Sequence, residues 1–276
     1  MKFLGGQKGF TLIEAVVSAA VFLLFALGIY GGISLVFKIV YQSRLKILET
    51  ALLSEELESV RNIPFDSIGI VNGIPEGVLP RTKSIVRNGT TFLFTTTVRN
   101  IDDAFDGMAT GTPTVDTSPG DYKLVEMSVI CANCTQTRPT ILSTLIAPKN
   151  LEGASTNGHL YIQVFDATGG DVAGANVHVV NTARTPNVVI DDVTGSDGWL
   201  RIIDTPTGTL SYNITVSKNG YSSDYTVAAS IDNPNPKKPP ANVVSQYVTE
   251  LSFSIDRLGS INLHSVDPIC SAIGGV

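Results

Sequence analysis

The sequence predicts an α+β chain in which one long N-terminal helix packs on a β-sheet head and an all-β sandwich follows. The first reason is a run of 28 residues, 10–37, in which only Glu14 is charged; an apolar run of this length is typical of a membrane-crossing helix. The second reason is that β-branched segments alternate with polar residues between Gly, Pro and Asn turns beyond residue 62, and this pattern indicates strands.

The apolar run is long enough to cross a bilayer and remain in the protein. At 1.5 Å per residue its helix is about 42 Å long, whereas a hydrocarbon core is about 30 Å thick. A secretory signal has a shorter apolar region, about 7–15 residues, followed by small residues at a cleavage site. The stretch "KIVYQS" after Phe37 offers no such site, so we expect a single-pass helix that is retained.

The flanking charges do not settle the orientation of this helix. Lys2 and Lys8 precede it, while Lys38, Arg44 and Lys46 follow it, and the positive-inside rule is ambiguous in such a case. Because the acidic, strand-patterned bulk lies after the helix, we expect a cytoplasmic N-terminus and an extracytoplasmic bulk.

After Lys38 the helix is expected to become amphipathic and to end near residue 62. Leucines such as Leu45, Leu48 and Leu52 form an apolar stripe among polar residues that include Glu49, as in a helix that packs on one face. Pro64 disfavours helix at the residue before it. The sequence therefore predicts a membrane-crossing and amphipathic helix over 10–62, packed on a β-rich head over 63–148.

The carboxylate of Glu14 requires a reason, because a charge at the bilayer centre costs about 2.5–3.5 kcal/mol on insertion scales. In a plain anchor, Glu14 merely lies near the interface. Alternatively, a cut between Gly9 and Phe10 creates an ammonium four residues before Glu14, on the same helix face. A wrong register would leave both charges unpaired, which is strongly unfavourable, so Glu14 would set the stagger between assembled subunits.

The stretch "KGFTLIE", residues 8–14, resembles the class III signal of type IV prepilins and pseudopilins. In that family a prepilin peptidase cuts after the glycine and methylates the new N-terminus. The resemblance implies a leader over 1–9, a cut after Gly9, N-methylation of Phe10 and an assembly role for Glu14. It also implies three partners: the prepilin peptidase, other pilin or pseudopilin subunits, and the cytoplasmic membrane.

A second stretch, "LESVRNIPFDSIG" at 57–69, resembles the helix end of minor pilins of the PilV/GspI kind. The chain departs from many major pilins in one respect. Gly28, Gly31 and Gly32 stand where those proteins carry a helix-breaking proline.

The head is predicted from three strand-like segments, "TFLFTTTVRNI", "KLVEMSVIC" and "TILSTLIA". The loop between the first two contains five acids that can in principle chelate calcium, but they lack the regular spacing of an EF-hand loop. We expect solvated turn acids and no metal. The five are Asp102, Asp103, Asp106, Asp116 and Asp121.

The cysteine pattern allows a local disulfide but no metal centre. Cys131 and Cys134 form the only C-x-x-C, and Cys270 stands far downstream. A structural zinc site normally needs four N or S ligands, and a redox C-x-x-C opens a helix, whereas this one follows a strand. In an exported chain a Cys131–Cys134 disulfide is expected, leaving Cys270 unpaired; free thiols are the alternative.

Residues 157–230 are predicted to form a β-sandwich, because short strands recur between turn signals. The pattern V-x-D-x-x-G-x-x-V-x-G-A-x-V, from Val164 to Val177, resembles the carboxypeptidase regulatory-like, or transthyretin-like, sandwich. That resemblance implies a spacer or binding module without catalytic residues. The expected core residues are Trp199, Ile202, Tyr212, Ile214 and Val216.

The last segments are less defined. Residues 231–246 are predicted to be a stiff, Pro-rich linker, and residues 247–276 to hold one or two strands. These strands either complete the sandwich or begin a further, truncated module, which is the slightly favoured interpretation.

Composition and motifs argue against nucleic-acid binding and enzymatic activity. The formal charge is −6, whereas a nucleic-acid partner requires a basic stripe. His159, His178 and His264 are far apart, and no catalytic or phosphate-binding motif appears. No catalytic residue and no cofactor are therefore expected.

The predicted function is that of a minor pilin or pseudopilin subunit. The subunit is held in the cytoplasmic membrane before processing and found in a pilus or pseudopilus at the cell surface after it. The alternatives are a type II secretion pseudopilin and a membrane-anchored adhesive display protein.

Overall fold

The structure is a computed structural model that describes residues 9, 11–111, 114–134, 136, 138–149, 155–260 and 269. It consists of one long N-terminal helix followed by an all-β body of several sheets, so the predicted fold class is confirmed. The leader residues 1–8, and with them Phe10, His264 and Cys270, lie outside the described residues.

Helix α1 spans Leu12–Arg61 and has two different halves. Its first half is exposed along its whole length. Its second half buries one face against the head sheet, as the leucine stripe predicted, with Leu53 completely buried. The helix ends at Arg61, with Asn62 as its C-cap, since Pro64 follows two residues later.

The head is a four-stranded antiparallel sheet with the strand order β1-β2-β3-β4. One face carries large apolar side chains such as Phe92, Phe94 and Val125, which pack with the second half of α1 in one core. The strands are β1 (Thr82–Arg87), β2 (Thr90–Ile101), β3 (Tyr122–Cys131) and β4 (Thr140–Ile146).

The rest of the body is a sandwich of two sheets around a single apolar core. One sheet has the order β10-β9-β6-β7, with β11 also paired to β9, and the other has the order β12-β5-β8. The strands are β5 (Gly158–Phe165), β6 (Asn176–Asn181), β7 (Val188–Val193), β8 (Trp199–Thr205), β9 (Gly208–Ser217), β10 (Asp224–Tyr225), β11 (Ala241–Val243) and β12 (Val248–Ser254).

The C-terminal strand belongs to this sandwich. Strand β12 pairs in parallel with β5 along its whole length, and Phe253 and Ile255 are completely buried in the sandwich core. The structure therefore favours the alternative in which residues 248–255 complete the sandwich. The predicted linker 231–246 likewise contains a strand, β11, at Ala241–Val243.

The structure corrects one expected core residue, Trp199. Ile202 is buried, but Trp199 is only half-buried. Successive strand residues face opposite sides, so Leu200 and Ile202 point into the core and Trp199 points away. Its ring contacts Tyr161 edge-to-face, with centroids 6.4 Å apart.

Candidate functional site

The N-terminus of α1 is closed by a capping box. Thr11 is the N-cap, and its hydroxyl accepts a hydrogen bond from the Glu14 backbone N–H at 3.3 Å. The Glu14 carboxylate accepts in return from the Thr11 N–H at 2.9 Å and from the Thr11 hydroxyl at 2.8 Å. This reciprocal pattern satisfies donors that an uncapped helix start leaves without partners. Glu14 therefore has a local structural role in the single chain.

Gly9, the residue before the predicted cut, lies outside this cap. Gly9 is exposed and precedes the first helical residue, Leu12, and no atom lies within 4 Å of the position that a Cβ at Gly9 would occupy. Exposed, non-helical backbone near a terminus is the usual place for proteolysis. The exposure of Gly9 is thus compatible with the predicted cut.

The first half of α1 is long and apolar enough to cross a membrane. Large side chains such as Phe22, Phe25 and Phe37 are each about 70% exposed. Within the described part of the chain, nothing covers them. Apolar area of this extent requires either lipid or other helices around it.

Glu49 was assigned to the polar side of the helix, but it is only 1% exposed. The hydroxyl of Thr140 on β4 donates to Glu49 Oε2 at 2.5 Å and accepts from Lys46 Nζ at 2.8 Å. Sequence reasoning missed this network. The available signal was that Glu49 lies four residues after Leu45 and three before Leu52, which places it near the apolar stripe.

The loop between β2 and β3 brings three of its five acids together. Carboxylate oxygens of Asp102, Asp116 and Asp121 lie within 4.8 Å of one another, whereas Asp103 and Asp106 are exposed. Burial raises the pKa of Asp102 to about 6, and the charges of Asp121 and Asp116 add to this effect. The hydrogen bond that Asp102 accepts from the Ala109 N–H opposes the increase. The grouping is an electrostatic feature of the loop, and we assign it no metal.

Cys131 and Cys134 form a disulfide in the structure, with their Cα atoms 5.5 Å apart. The bond closes the turn after β3 and lies against α1, where the Tyr41 hydroxyl is 3.3 Å from Cys134 Sγ. The disulfide is therefore a local structural link within the head, beside the helix.

The two described histidines do not share a site. His159 is 2% exposed, its Nδ1 accepts from the Asp204 N–H at 3.2 Å, and burial lowers its pKa. His178 lies on a different sheet, with its Nδ1 2.5 Å from Asp191 Oδ1. Each histidine is thus engaged in a separate local contact.

Residues 4–30 match the family model described as the prokaryotic N-terminal methylation motif. This match confirms the resemblance seen in "KGFTLIE": the chain carries a prepilin-type motif at the start of its long apolar helix. A comparison with curated proteins finds no match.

Among solved structures, the hydroxyquinol 1,2-dioxygenase of Pseudomonas putida DLL-E4 is 13% identical, with 38% of this chain and 58% of that chain covered and a TM-score of 0.27. BcpA, the major pilin subunit of Bacillus cereus, is 13% identical over 52% and 41% of the two chains, with a TM-score of 0.24. GBS52, the minor pilin of Streptococcus agalactiae, is 9% identical over 68% and 93%, with a TM-score of 0.26.

Similarities at these TM-scores carry no argument about fold or function. The chain spans about half the length of the first two structures. The transthyretin-like resemblance of residues 157–230 stays a prediction.

Proposed function

We propose that this chain is a minor pilin or pseudopilin subunit with a structural role. Prepilin peptidase cuts it after Gly9 and methylates Phe10, and the mature subunit joins a filament through its apolar helix. The observation that carries the proposal is the methylation motif at residues 4–30, placed on a helix whose apolar half is uncovered within the described chain.

An exposed apolar helix suits the subunit both before assembly, in the membrane, and after assembly, in the filament. Before assembly, lipid covers the side chains of its first half, and the protein is a single-pass cytoplasmic membrane protein with its β body outside the cytoplasm. After assembly, the apolar helices of neighbouring subunits replace the lipid in a pilus or pseudopilus at the cell surface. Close packing between helices provides the attraction, because lipid and leucine side chains are equally apolar.

Glu14 takes a second role in the filament. In the single chain its carboxylate is engaged by Thr11. Once helices exclude lipid and water, a carboxylate needs a cation, and the Phe10 ammonium of the same or a neighbouring subunit provides one. A displaced neighbour would leave both charges bare, which is strongly unfavourable. Glu14 thereby selects the register of assembly.

The first test is mass spectrometry of the mature N-terminus, from cells with and without the host's prepilin peptidase. We expect a chain that begins with N-methylated Phe10 in the first case and a chain that retains the leader in the second. A chain with the leader intact in both cases would make this protein a plain anchored β protein.

A second test separates the capping role of Glu14 from its assembly role. Glutamine also serves at this position of a capping box, so Glu14→Gln should insert and be cut normally. Its incorporation into filaments should fall by more than about tenfold, because leaving one charge of a buried pair unpaired costs about 3–5 kcal/mol. Glu14→Ala should show the same assembly defect, and Glu58→Gln, at an exposed acid of the same helix, should behave as the wild type. Normal assembly of Glu14→Gln would leave capping as the role of Glu14.

Pilins and pseudopilins share this motif, so gene deletion must identify the machine. Loss of pili indicates a pilus subunit, and cargo retained in the periplasm indicates a type II secretion pseudopilin. Loss of surface binding with pili intact indicates an adhesive display protein that uses the filament as a stalk.

A further inference from the structure

Strand β7 of the sandwich receives a charged side chain from the head. Arg99 on β2 donates from Nε to Asp192 Oδ2 at 2.6 Å, and its Nη2 pairs with the other carboxylate oxygen. The side chains of Asp192 and Arg99 are 6% and 22% exposed. A bidentate arginine–carboxylate pair fixes direction as well as distance, so this contact restricts how β7 can turn relative to the head.

The preceding part of the head holds the same strand by its backbone. Arg81 donates from Nη2 to the Val189 carbonyl at 2.5 Å and pairs with Asp191 at 3.3 Å. The Asn72 carbonyl accepts from the Val189 N–H at 2.8 Å. Both backbone groups of Val189 are therefore bound by the head, and Ile74 inserts its side chain into the apolar core of the sandwich.

The head also contacts the second sheet of the sandwich. Asn100, which follows Arg99 and faces the other side of β2, donates to the Ile203 carbonyl of β8 at 3.3 Å. Asn100 is 8% exposed and Ile203 is 3% exposed. Adjacent residues at the end of β2 thus engage both layers of the sandwich, one through β7 and the other through β8.

We propose that these contacts hold the sandwich in one fixed orientation on the head, so that the two move as a single rigid body. A domain joined by a linker is expected to move unless its interface is substantial. Here a bidentate ion pair, a bound strand edge, a buried amide contact and an inserted apolar side chain act on two sheets. Rotation about any single contact would break the others.

The test uses the full chain in lipid nanodiscs, with spin labels at Ser84→Cys and Thr215→Cys in a Cys270→Ser background. Both label positions are exposed, the first on β1 and the second on β9. Electron–electron resonance should give one narrow distance distribution. The double substitution Arg81→Ala/Arg99→Ala should lose this narrow peak and give a broad distribution.

Two controls keep the result interpretable. Arg201→Ala removes an ion pair to Asp197 that lies within the sandwich, and it should leave the narrow peak unchanged. Six Gly-Ser residues inserted after Lys149, between the head and the sandwich, should also leave it unchanged, because the docking contacts and not the length of the connection set the distance. A broad distribution in the unsubstituted chain, a narrow one in the double variant, or broadening by the insertion would each overturn the proposal. The uncut chain suffices for this experiment, so its outcome does not depend on assembly.

Discussion

At the residue scale, the fold raises the pKa of Asp102, and the position of this residue in the sequence does not predict that increase. Burial, followed by the charges of Asp121 and Asp116, raises its pKa to about 6. A carboxyl with a raised pKa binds its proton more tightly in the folded than in the unfolded chain. The folded state is therefore favoured while the proton is bound, and this advantage is lost as the pH rises from about 4 to about 6. At pH 7 the ionised group destabilises the fold.

We accordingly expect Asp102→Asn to stabilise the protein at pH 7 but not at pH 4. Asparagine keeps an oxygen for the Ala109 N–H, which donates to Asp102 Oδ2 at 2.9 Å, and it removes the charge. Because the side chain retains some solvent contact, we expect a gain of about 1 kcal/mol. Thermal unfolding of the full chain in detergent at both pH values provides the measurement.

The control at this scale is Asp106→Asn, an exposed acid of the same loop. It should change the melting temperature little at either pH. An equal gain for Asp102→Asn at pH 4 and pH 7 would show that the effect is not electrostatic.

At the scale of elements, the loop before β1 contacts β7 through Asn72. Two glycines of this loop, Gly69 and Gly77, bring two segments of its backbone close together. A Cβ at Gly77 would lie 2.3 Å from the Gly69 nitrogen and 2.5 Å from the Ser67 carbonyl oxygen. Both neighbours are backbone atoms, so the loop cannot yield by rotating a side chain. The same loop carries Ile74 into the sandwich core.

Gly77→Ala should therefore destabilise the protein by about 1–3 kcal/mol, the usual cost of overpacking. Urea unfolding of the full chain in detergent measures this change. Gly120→Ala is the matched control, because its Cβ would meet nothing closer than 4.0 Å. Equal urea midpoints for Gly77→Ala and Gly120→Ala would mean that the backbone at Gly69 and Gly77 can move apart without loss of stability.

Local pattern predicted the elements of this fold better than their partners. The apolar run and Pro64 predicted a helix over 10–62, and α1 spans Leu12–Arg61. Alternation indicated β2, β3 and β4 but missed β1. The burial of charged side chains was not predictable, because it depends on residues that are distant in the sequence. Lys123 faces the core side of β3, where its ammonium donates to the Phe65 and Ile68 carbonyls at 2.8 and 2.7 Å. Glu49 is buried where α1 packs on the head sheet, and its hydrogen-bond partner Thr140 is 91 residues away.

The functional residues also fall into two groups: those that a local motif reveals and those that only the folded chain brings together. The motif around Gly9, Phe10 and Glu14 is local in sequence, so it was found without structure, and residues 4–30 match the methylation motif. The contact of Arg99 with Asp192 joins residues 93 positions apart. No spacing rule reports such a pair, because it exists only after two domains have docked.

At the scale of the whole molecule, β12 makes residues 248–255 part of the sandwich core. It forms parallel pairs with β5 from Val248 to Ser254 and leads into Ile255, which is completely buried with Phe253. A chain that stops after Tyr247 loses both side chains, each worth about 1.5–3 kcal/mol when buried. It also leaves one edge of β5 without its partner.

We expect this shortened chain to have a protease-sensitive sandwich and an intact head, because the head has a separate core with α1. Limited proteolysis of the nanodisc-embedded protein, followed by mass spectrometry, should show cleavage confined to residues beyond about 155. A chain that stops after Ser260 keeps β12, Phe253 and Ile255, so it should resist digestion like the full chain. Equal resistance of both shortened chains would mean that the sandwich is complete without β12, and that the strand is an addition to a module that already folds alone.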